Sequence, residues 1–277
     1  MIEIVDAHGL PAAPDAVDPD RRSGDAVRAA VRDRSIALTY RPVWDLAQRE
    51  VTALTALPSV ALESGATLGP DVVWSIADRA GLCLLLARAM QVTVEADQRM
   101  WGRHGLGAPV SIARIPSLSA VRTFRRRTHR SGAQGTVGLD LAPQAASQLF
   151  GLRPDRRWRV HLAPAAAVAE IRRCSESGLA PDAVRLSALL VHRFTRDAAQ
   201  LRRVARCIEV ARGHGLLVHA DGAEDGESVN GLAALGCHQA SGAGLGADLT
   251  ACEIPTLRWV GSTLRSSSDR PLPAAAG

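Results

Sequence analysis

The sequence contains no lysine, since all 33 basic residues are arginine, and aromatic residues make up only 3% of the chain. It also has no long hydrophobic run: the longest, at residues 82–87, is far shorter than the roughly 18 residues that a membrane-spanning helix needs. No basic-then-apolar leader opens the chain. The sequence therefore predicts neither a membrane segment nor a secretory signal.

Cysteine and histidine are present but not in metal-binding patterns. The five cysteines are scattered without a CxxC pair and are odd in number, which argues against a disulfide framework and a zinc site. None of the eight histidines has HxxxH or HxH spacing. We therefore expect thiols in a reducing cytoplasm, with neither a metal nor a cofactor.

What the chain does have is globular composition, with 47% hydrophobic and 22% charged residues. The 277 residues fit one α/β barrel, which takes roughly 250 residues, or two smaller domains. The net charge of +5 is compatible with an acidic partner but does not identify one.

Apolar runs alternate with helical stretches along most of the chain. Strands are predicted at residues 35–46, 51–57, 108–115, 136–142, 158–163, 183–191 and 216–223, with a last strand or turn at 237–244. Helices are predicted at residues 70–101, 122–130, 166–177, 197–214 and 228–235. Such alternation favours parallel strands covered by helices, and seven or eight units indicate a closed barrel. Residues 1–24 and 263–277 are rich in Pro, Asp, Ala or Ser, and we expect them to be a flexible leader and a flexible tail around one domain at residues 25–262.

Several motifs occur in the order of one known family. LTYRPV at 38–43 resembles a strand ending in Tyr-Gln-Pro-Ile, and TAL at 55–57 stands where that family has Glu-Ala-Leu. IADRAGL at 76–82 and VRLS at 184–187 follow, and then HADGAE at 219–224 and LGCHQASG at 235–242 at the spacing of two linked family motifs. Residues 25–262 thus resemble the EAL domains of cyclic-di-GMP phosphodiesterases. The resemblance implies a TIM-like (β/α)8 barrel of EAL type.

The resemblance also implies a two-metal site, holding Mg²⁺ or Mn²⁺, at the carboxyl ends of the barrel strands. Hard dications need several anionic oxygens. Acids remain at only three of the family's catalytic positions, and the others are neutral or basic. The positions are Thr55, Ala113, Asp140, Ala163, Arg185, Ser187, Asp221, Glu224 and Ser241. We therefore expect an inactive member of the family, with no metal bound.

The function that this leaves is regulation by protein contact in bacterial signalling, with an unidentified partner that is acidic or is itself a signalling or transcription factor. A cyclic-di-GMP receptor without hydrolysis is the alternative. Its candidate phosphate-binding residues are Arg41, Arg114 and Arg185, since guanidinium suits phosphate. Homodimer formation stays open.

The densest basic run is a candidate partner-binding surface. Arg122, Arg126 and Arg130 share one helical face by their spacing of four residues. Nucleic acid is the competing ligand for such a run, but Phe124 is its one interleaved aromatic residue. An acidic protein partner is therefore favoured over nucleic acid, and active phosphodiesterase is the least favoured function.

Overall fold

A computed structural model of the protein describes residues 19–115, 137–141, 158–165, 167–176, 181–257 and 259. Its strands are β1 Ala37–Asp45, β2 Glu50–Ala61, β3 Thr67–Leu68, β4 Val110–Ile115, β5 Val137–Leu141, β6 Trp158–Ala165, β7 Ala183–Leu186, β8 Leu217–Asp221 and β9 Gln239–Ser241. The helices of the same residues are α1 Pro19–Asp33, α2 Pro70–Arg79, α3 Cys83–Gly102, α4 Val168–Glu176, α5 Ala188–Val191, α6 Ala198–Gly213 and α7 Gly226–Ala234. Short 3₁₀ turns lie at Phe194–Arg196 and Ile254–Thr256.

Eight of these strands form a closed ring. Strands β2, β4, β5, β6, β7, β8 and β9 follow one another in parallel, and β1 closes the ring between β9 and β2. The small strand β3 pairs with β2 outside the ring. The predicted TIM-like barrel is confirmed.

Strand β1 is antiparallel to both of its neighbours, which the expectation of parallel strands did not include. The cause is the short turn between β1, which ends at Asp45, and β2, which begins at Glu50. A parallel crossover needs a dozen or more residues, whereas an antiparallel pair needs only a hairpin. Asp45 holds this turn, since its Oδ1 accepts hydrogen bonds from the backbone nitrogens of Ala47 and Gln48, both at 2.9 Å.

The parallel strands and the inner faces of the helices are buried together. All four residues of β7 are buried, as expected for a parallel strand covered on both faces. The largest fully buried side chains include Trp101 of α3, Tyr40 of β1 and Phe194 after α5. No helix among the described residues combines the length and the hydropathy that crossing a membrane requires.

Three local expectations differ from the structure. Residues 19–24, placed in the leader, belong to α1. The stretch at 70–101 is two helices, because Gly81 takes a positive φ of 67° and lets the chain turn between them. The run at 183–191 is a strand only to Leu186: Ser187 then caps α5 by accepting a hydrogen bond from the backbone nitrogen of Leu189 at 3.2 Å.

The seam between β1 and β9 has only two residue pairs, Trp44 with Ala240 and Asp45 with Gln239. The segment after β9 extends this closure, since the backbone of Leu249 exchanges hydrogen bonds of 2.7 and 2.9 Å with that of Tyr40. The segment leaves the barrel through Gly242, whose φ is 148°. The barrel is therefore closed partly by residues beyond its last strand.

We expect Gly242→Ala to lower the free energy of unfolding by about 3 kcal/mol, because both the backbone angle and the available space exclude a side chain. A Cβ atom there would lie 2.4 Å from the oxygen and 2.6 Å from the nitrogen of Ala223. Urea unfolding followed by circular dichroism measures the change. The matched control is Gly213→Ala, where nothing lies within 4 Å of the added atom. Equal midpoints for the two variants would contradict the close approach.

Candidate functional site

The barrel mouth, at the carboxyl ends of the parallel strands, gathers four of the residues singled out in the sequence: Thr55, Arg185, Asp221 and Ser241. Asp221 and Ser241 are the last residues of β8 and β9 and pair in register. Arg185 lies on β7 beside β8, and Thr55 lies on β2. The parallel arrangement of these strands brings their ends to one side of the barrel.

Arg185 and Asp221 form a bidentate ion pair at the centre of this group. Arg185 Nε donates to Asp221 Oδ2 at 2.6 Å, and its Nη2 donates to Asp221 Oδ1 at 3.0 Å. The Arg185 side chain is only 7% exposed, and that of Asp221 is 22% exposed. Planar two-point contacts of this kind are the strongest that arginine makes with a carboxylate.

Three further side chains of the mouth contact the pair. Arg185 Nη2 also donates to Thr55 Oγ1 at 3.0 Å, and Ser241 Oγ donates to Asp221 Oδ1 at 2.7 Å. His219, two residues before Asp221 on the same face of β8, places its Nε2 3.1 Å from Ser241 Oγ and 3.4 Å from Asp221 Oδ1. We call Thr55, Arg185, His219, Asp221 and Ser241 the mouth network.

The mouth network keeps Asp221 ionised. Burial by itself would raise the pKa of this carboxyl. The charges of Arg185 and His219, with hydrogen bonds from Arg185 and Ser241, outweigh burial and lower the pKa from 3.8 to about 2. At neutral pH the network therefore holds a partly buried carboxylate against a buried guanidinium.

Arg41 forms a second ion pair beside the network. It stands opposite Thr55 in the β1–β2 register. Its Nε and Nη2 donate to the two carboxylate oxygens of Asp248 at 2.7 and 2.8 Å, and these hydrogen bonds raise the pKa of the guanidinium although burial opposes them. Asp248 belongs to the segment after β9 that pairs with Tyr40. Arg41 and Arg185, two of the three arginines proposed to bind phosphate, are thus already paired with carboxylates.

Two further candidates lie apart from the mouth network. Ser187 caps α5. Glu224 is 57% exposed and contacts His192 Nδ1 at 3.2 Å. Asp221 and Glu224, the two acids of the HADGAE motif, therefore have different partners, Arg185 and His192.

The remaining candidates are placed only by their backbones or lie outside the described residues. Ala113 and Arg114 are in β4, Asp140 is in β5 opposite His161, and Ala163 is within β6. The basic run with Arg122, Arg126 and Arg130 falls outside the described residues, as does the expected tail at 263–277.

The described side chains of the mouth network pair with one another. Among the described residues there is no group of three or more His, Cys, Asp or Glu side chains able to hold a metal ion. Ser241 contacts a histidine, but its side chain is fully buried and its hydroxyl donates a hydrogen bond to Asp221. The hydroxyl is therefore not positioned to attack a substrate as a nucleophile. The network is suited to holding its own charges in place.

Sequence reasoning did not single out two residues of the mouth. His219 could have been found, because its spacing of two from Asp221 on a strand places both side chains on one face. Asp248 had no such signal, since it lies in an irregular segment outside any motif.

The fold is that of EAL domains. The structure superposes on a phosphodiesterase described as PaMucR in complex with cyclic di-GMP with a TM-score of 0.69 at 15% identity, covering 84% of this chain and 99% of that one. For the Xanthomonas citri FimX EAL domain in complex with the same dinucleotide, the TM-score is 0.65 at 15% identity, covering 83% and 94% of the two chains. The EAL domain of Mycobacterium smegmatis DcpA gives 0.57 at 18% identity, covering 80% and 94%. No protein-family model and no curated protein sequence matches the chain.

The lowered pKa of Asp221 predicts a pH-dependent contribution to stability. Because the folded-state pKa lies below the ordinary value of 3.8, the contribution is fully present above that value and is lost as the pH falls toward about 2. Its size is about 2 kcal/mol. We expect Asp221→Asn to be less stable than wild type at pH 6, and the gap to narrow by that amount in acid.

Urea unfolding between pH 6 and pH 2 measures this gap. Glu224→Gln is the matched control, since Glu224 is exposed and no comparable narrowing is expected. A gap that stays constant with pH would show that Asp221 is not held ionised by the network.

The ion pair itself predicts strong coupling between its two residues. Arg185→Met leaves the partly buried carboxylate of Asp221 without its partner and is expected to cost about 3 kcal/mol. Arg185→Met combined with Asp221→Asn removes both charges and should cost clearly less than the sum of the single changes, with a coupling of about 2 kcal/mol. Chemical unfolding of the four proteins in this cycle gives the value. Additive effects would contradict the pairing.

Proposed function

We propose that this chain is a non-catalytic EAL-like regulatory protein that acts through contacts with another protein. The observation that carries the proposal is the engagement of Asp221, both of whose carboxylate oxygens accept hydrogen bonds from Arg185. A dication binding Asp221 would have to separate this pair and would then stand next to a buried guanidinium. Like charges at such a distance repel strongly where water is excluded.

The sequence of the mouth supports the same proposal. Thr55 is neutral and nearly fully buried, and it already accepts a hydrogen bond from Arg185. Alanine at 113 and 163 offers no side-chain oxygen. A two-metal mechanism needs several anionic oxygens that converge on each ion. The remaining acids supply too few of them.

A cyclic-di-GMP receptor without hydrolysis is the second candidate. Two of the superposed EAL domains are described in complex with this dinucleotide. In this chain Arg41 and Arg185 lie at the mouth and could contact phosphate. Each of them would first have to break its ion pair with a carboxylate. Because of this energetic cost, we prefer the function that acts through protein contacts.

Hydrolysis of cyclic di-GMP in the presence of Mn²⁺ tests the loss of catalysis. We expect a hydrolysis rate no higher than that in buffer alone, because both carboxylate oxygens of Asp221 accept hydrogen bonds from Arg185. Turnover that is abolished by Asp221→Ala would overturn the proposal.

Calorimetric titration with the dinucleotide separates the two candidates. We expect no heat of binding for wild type. Micromolar or tighter binding that is weakened by Arg41→Ala would favour the receptor instead. Arg28→Ala is the matched control, since Arg28 is an exposed arginine of α1 paired with Asp25.

A further inference from the structure

The segment that follows β9 runs from the barrel mouth to strand β1, and we call residues 242–249 the strap. Glycine occupies every second position over its first five residues. Gly244 lies close to the next connection, because a Cβ atom there would be 2.7 Å from the backbone nitrogen of Asp225. Its own nitrogen donates to the carbonyl oxygen of Ala223 at 2.9 Å. The first half of the strap is therefore packed on the connection between β8 and α7.

The second half of the strap lies along β1. Between the two halves Gly246 takes a φ of 147°, a backbone angle that favours glycine. Leu249 then forms an antiparallel bridge with Tyr40, with backbone hydrogen bonds in both directions. In such a bridge the residue before Leu249 stands opposite the residue after Tyr40, which places Asp248 opposite Arg41. Backbone contacts thus hold both halves of the strap without the help of a charged side chain.

Asp248 meets Arg41 in the geometry with which arginine binds phosphate. Its two carboxylate oxygens accept hydrogen bonds from Arg41 Nε at 2.7 Å and from Nη2 at 2.8 Å. A guanidinium group contacts carboxylates and phosphates in this same two-point manner. The side chains of Arg41 and Asp248 are 34% and 32% exposed, so small solutes reach the pair from solvent. Asp248 therefore occupies the position that a dissolved oxyanion would take on Arg41.

This arginine belongs electrically to the barrel mouth. Arg41 and Thr55 share one face of the sheet, since they stand opposite each other in register, and Thr55 accepts a hydrogen bond from Arg185. Hydrogen bonding to Asp248 raises the pKa of Arg41 most, and beyond it the charge of Asp221 raises this pKa while that of Arg185 lowers it. The two ion pairs of the mouth are thus close enough to act on each other. Together they carry two positive and two negative charges, which balance.

We propose that Asp248 is an intramolecular counter-anion that closes the barrel mouth to phosphoryl anions. With its carboxylate in place, the charges of the two ion pairs sum to zero. Without it, Arg41 would present an uncompensated guanidinium whose Nε and Nη2 can bind a phosphoryl group. The inference goes beyond the proposed function, because it names the residue that sets which ligands the mouth accepts, whether or not the chain binds another protein.

A purely structural role explains the Arg41–Asp248 pair less well. Ion pairs with this much exposure contribute little to the stability of a fold. The strap is already fixed by the bridge between Leu249 and Tyr40 and by the close approach of Gly244 to Asp225. What the carboxylate adds at this position is a negative charge on an arginine that faces the mouth.

Removal of that charge tests the inference. The full chain carrying Asp248→Asn is titrated with inorganic pyrophosphate at low salt and compared with wild type by calorimetry. We expect the variant to bind at least about tenfold more tightly, because the anion no longer competes with a carboxylate for Arg41. Adding Arg41→Gln to Asp248→Asn should abolish the gain, and added salt should reduce it.

The matched control is Asp25→Asn, which takes the carboxylate away from another arginine. Arg28 and Asp25 form an exposed pair on α1 with a single contact of 3.1 Å. This variant should bind pyrophosphate no better than wild type. Circular dichroism checks that each variant folds, and Asp248→Ser, which removes the same charge, replaces Asp248→Asn if the latter does not.

Four results would overturn the counter-anion. These are equal affinity of wild type and Asp248→Asn, a gain that persists in the double variant, an equal gain in Asp25→Asn, and failure of both charge-removing variants to fold, which would assign the pair to stability. Each of them leaves the proposed function intact. Turnover of cyclic di-GMP, in contrast, would overturn the proposed function without altering the pyrophosphate comparison.

Discussion

The ion pair between Arg185 and Asp221 is the interaction on which the barrel mouth depends. Each charge is stable at its depth only because the other is there, since an unpaired charge in such a position costs several kcal/mol, roughly 3–5. Thr55 accepts a further hydrogen bond from Arg185, and Ser241 donates one to Asp221. The pair joins β7 to β8, and its neutral partners reach β2 and β9. A change at any one of these strand ends therefore alters the charge balance of the whole mouth.

The closure of the barrel adds a second constraint. Strand β1 enters antiparallel and meets β9 over only two residue pairs, so the ring relies on contacts made beyond its strands. Leu249 pairs with the backbone of Tyr40, while Trp101 Nε1 of α3 donates to the carbonyl oxygen of Ala251 at 2.8 Å. Tyr40 and Trp101 also meet edge to face with ring centroids 5.0 Å apart. Contacts between residues near the two ends of the described chain thus stabilise the seam. The ion pair between Arg41 and Asp248 links the seam to the barrel mouth.

Much of the fold follows from the sequence, because strand and helix alternation fixes the order of the elements and, through the parallel sheet, brings strand ends together. The orientation of β1 and the break at Ser187 were missed for a local reason: a short hairpin and a single capping hydroxyl overrode apolar patterns that suit strands. At the site, the sequence identified Thr55, Arg185, Asp221 and Ser241 but not their pairing. In the sequence alone Arg185 suits phosphate as well as a carboxylate, and only the three-dimensional register shows it facing Asp221. Asp248 could not be found from any pattern, because its partner Arg41 is 207 positions away and nothing local requires an acid there.

The ion pairs of the barrel mouth set the energetic cost of binding an anionic ligand there. Arg41 and Arg185 are both bound to carboxylates, so an anionic ligand can reach either of them only after it has broken an ion pair. The free energy of binding is what remains of the new interactions once the cost of breaking the old ones has been subtracted. That cost is high at the mouth of this barrel, because both ion pairs are held by two hydrogen bonds each.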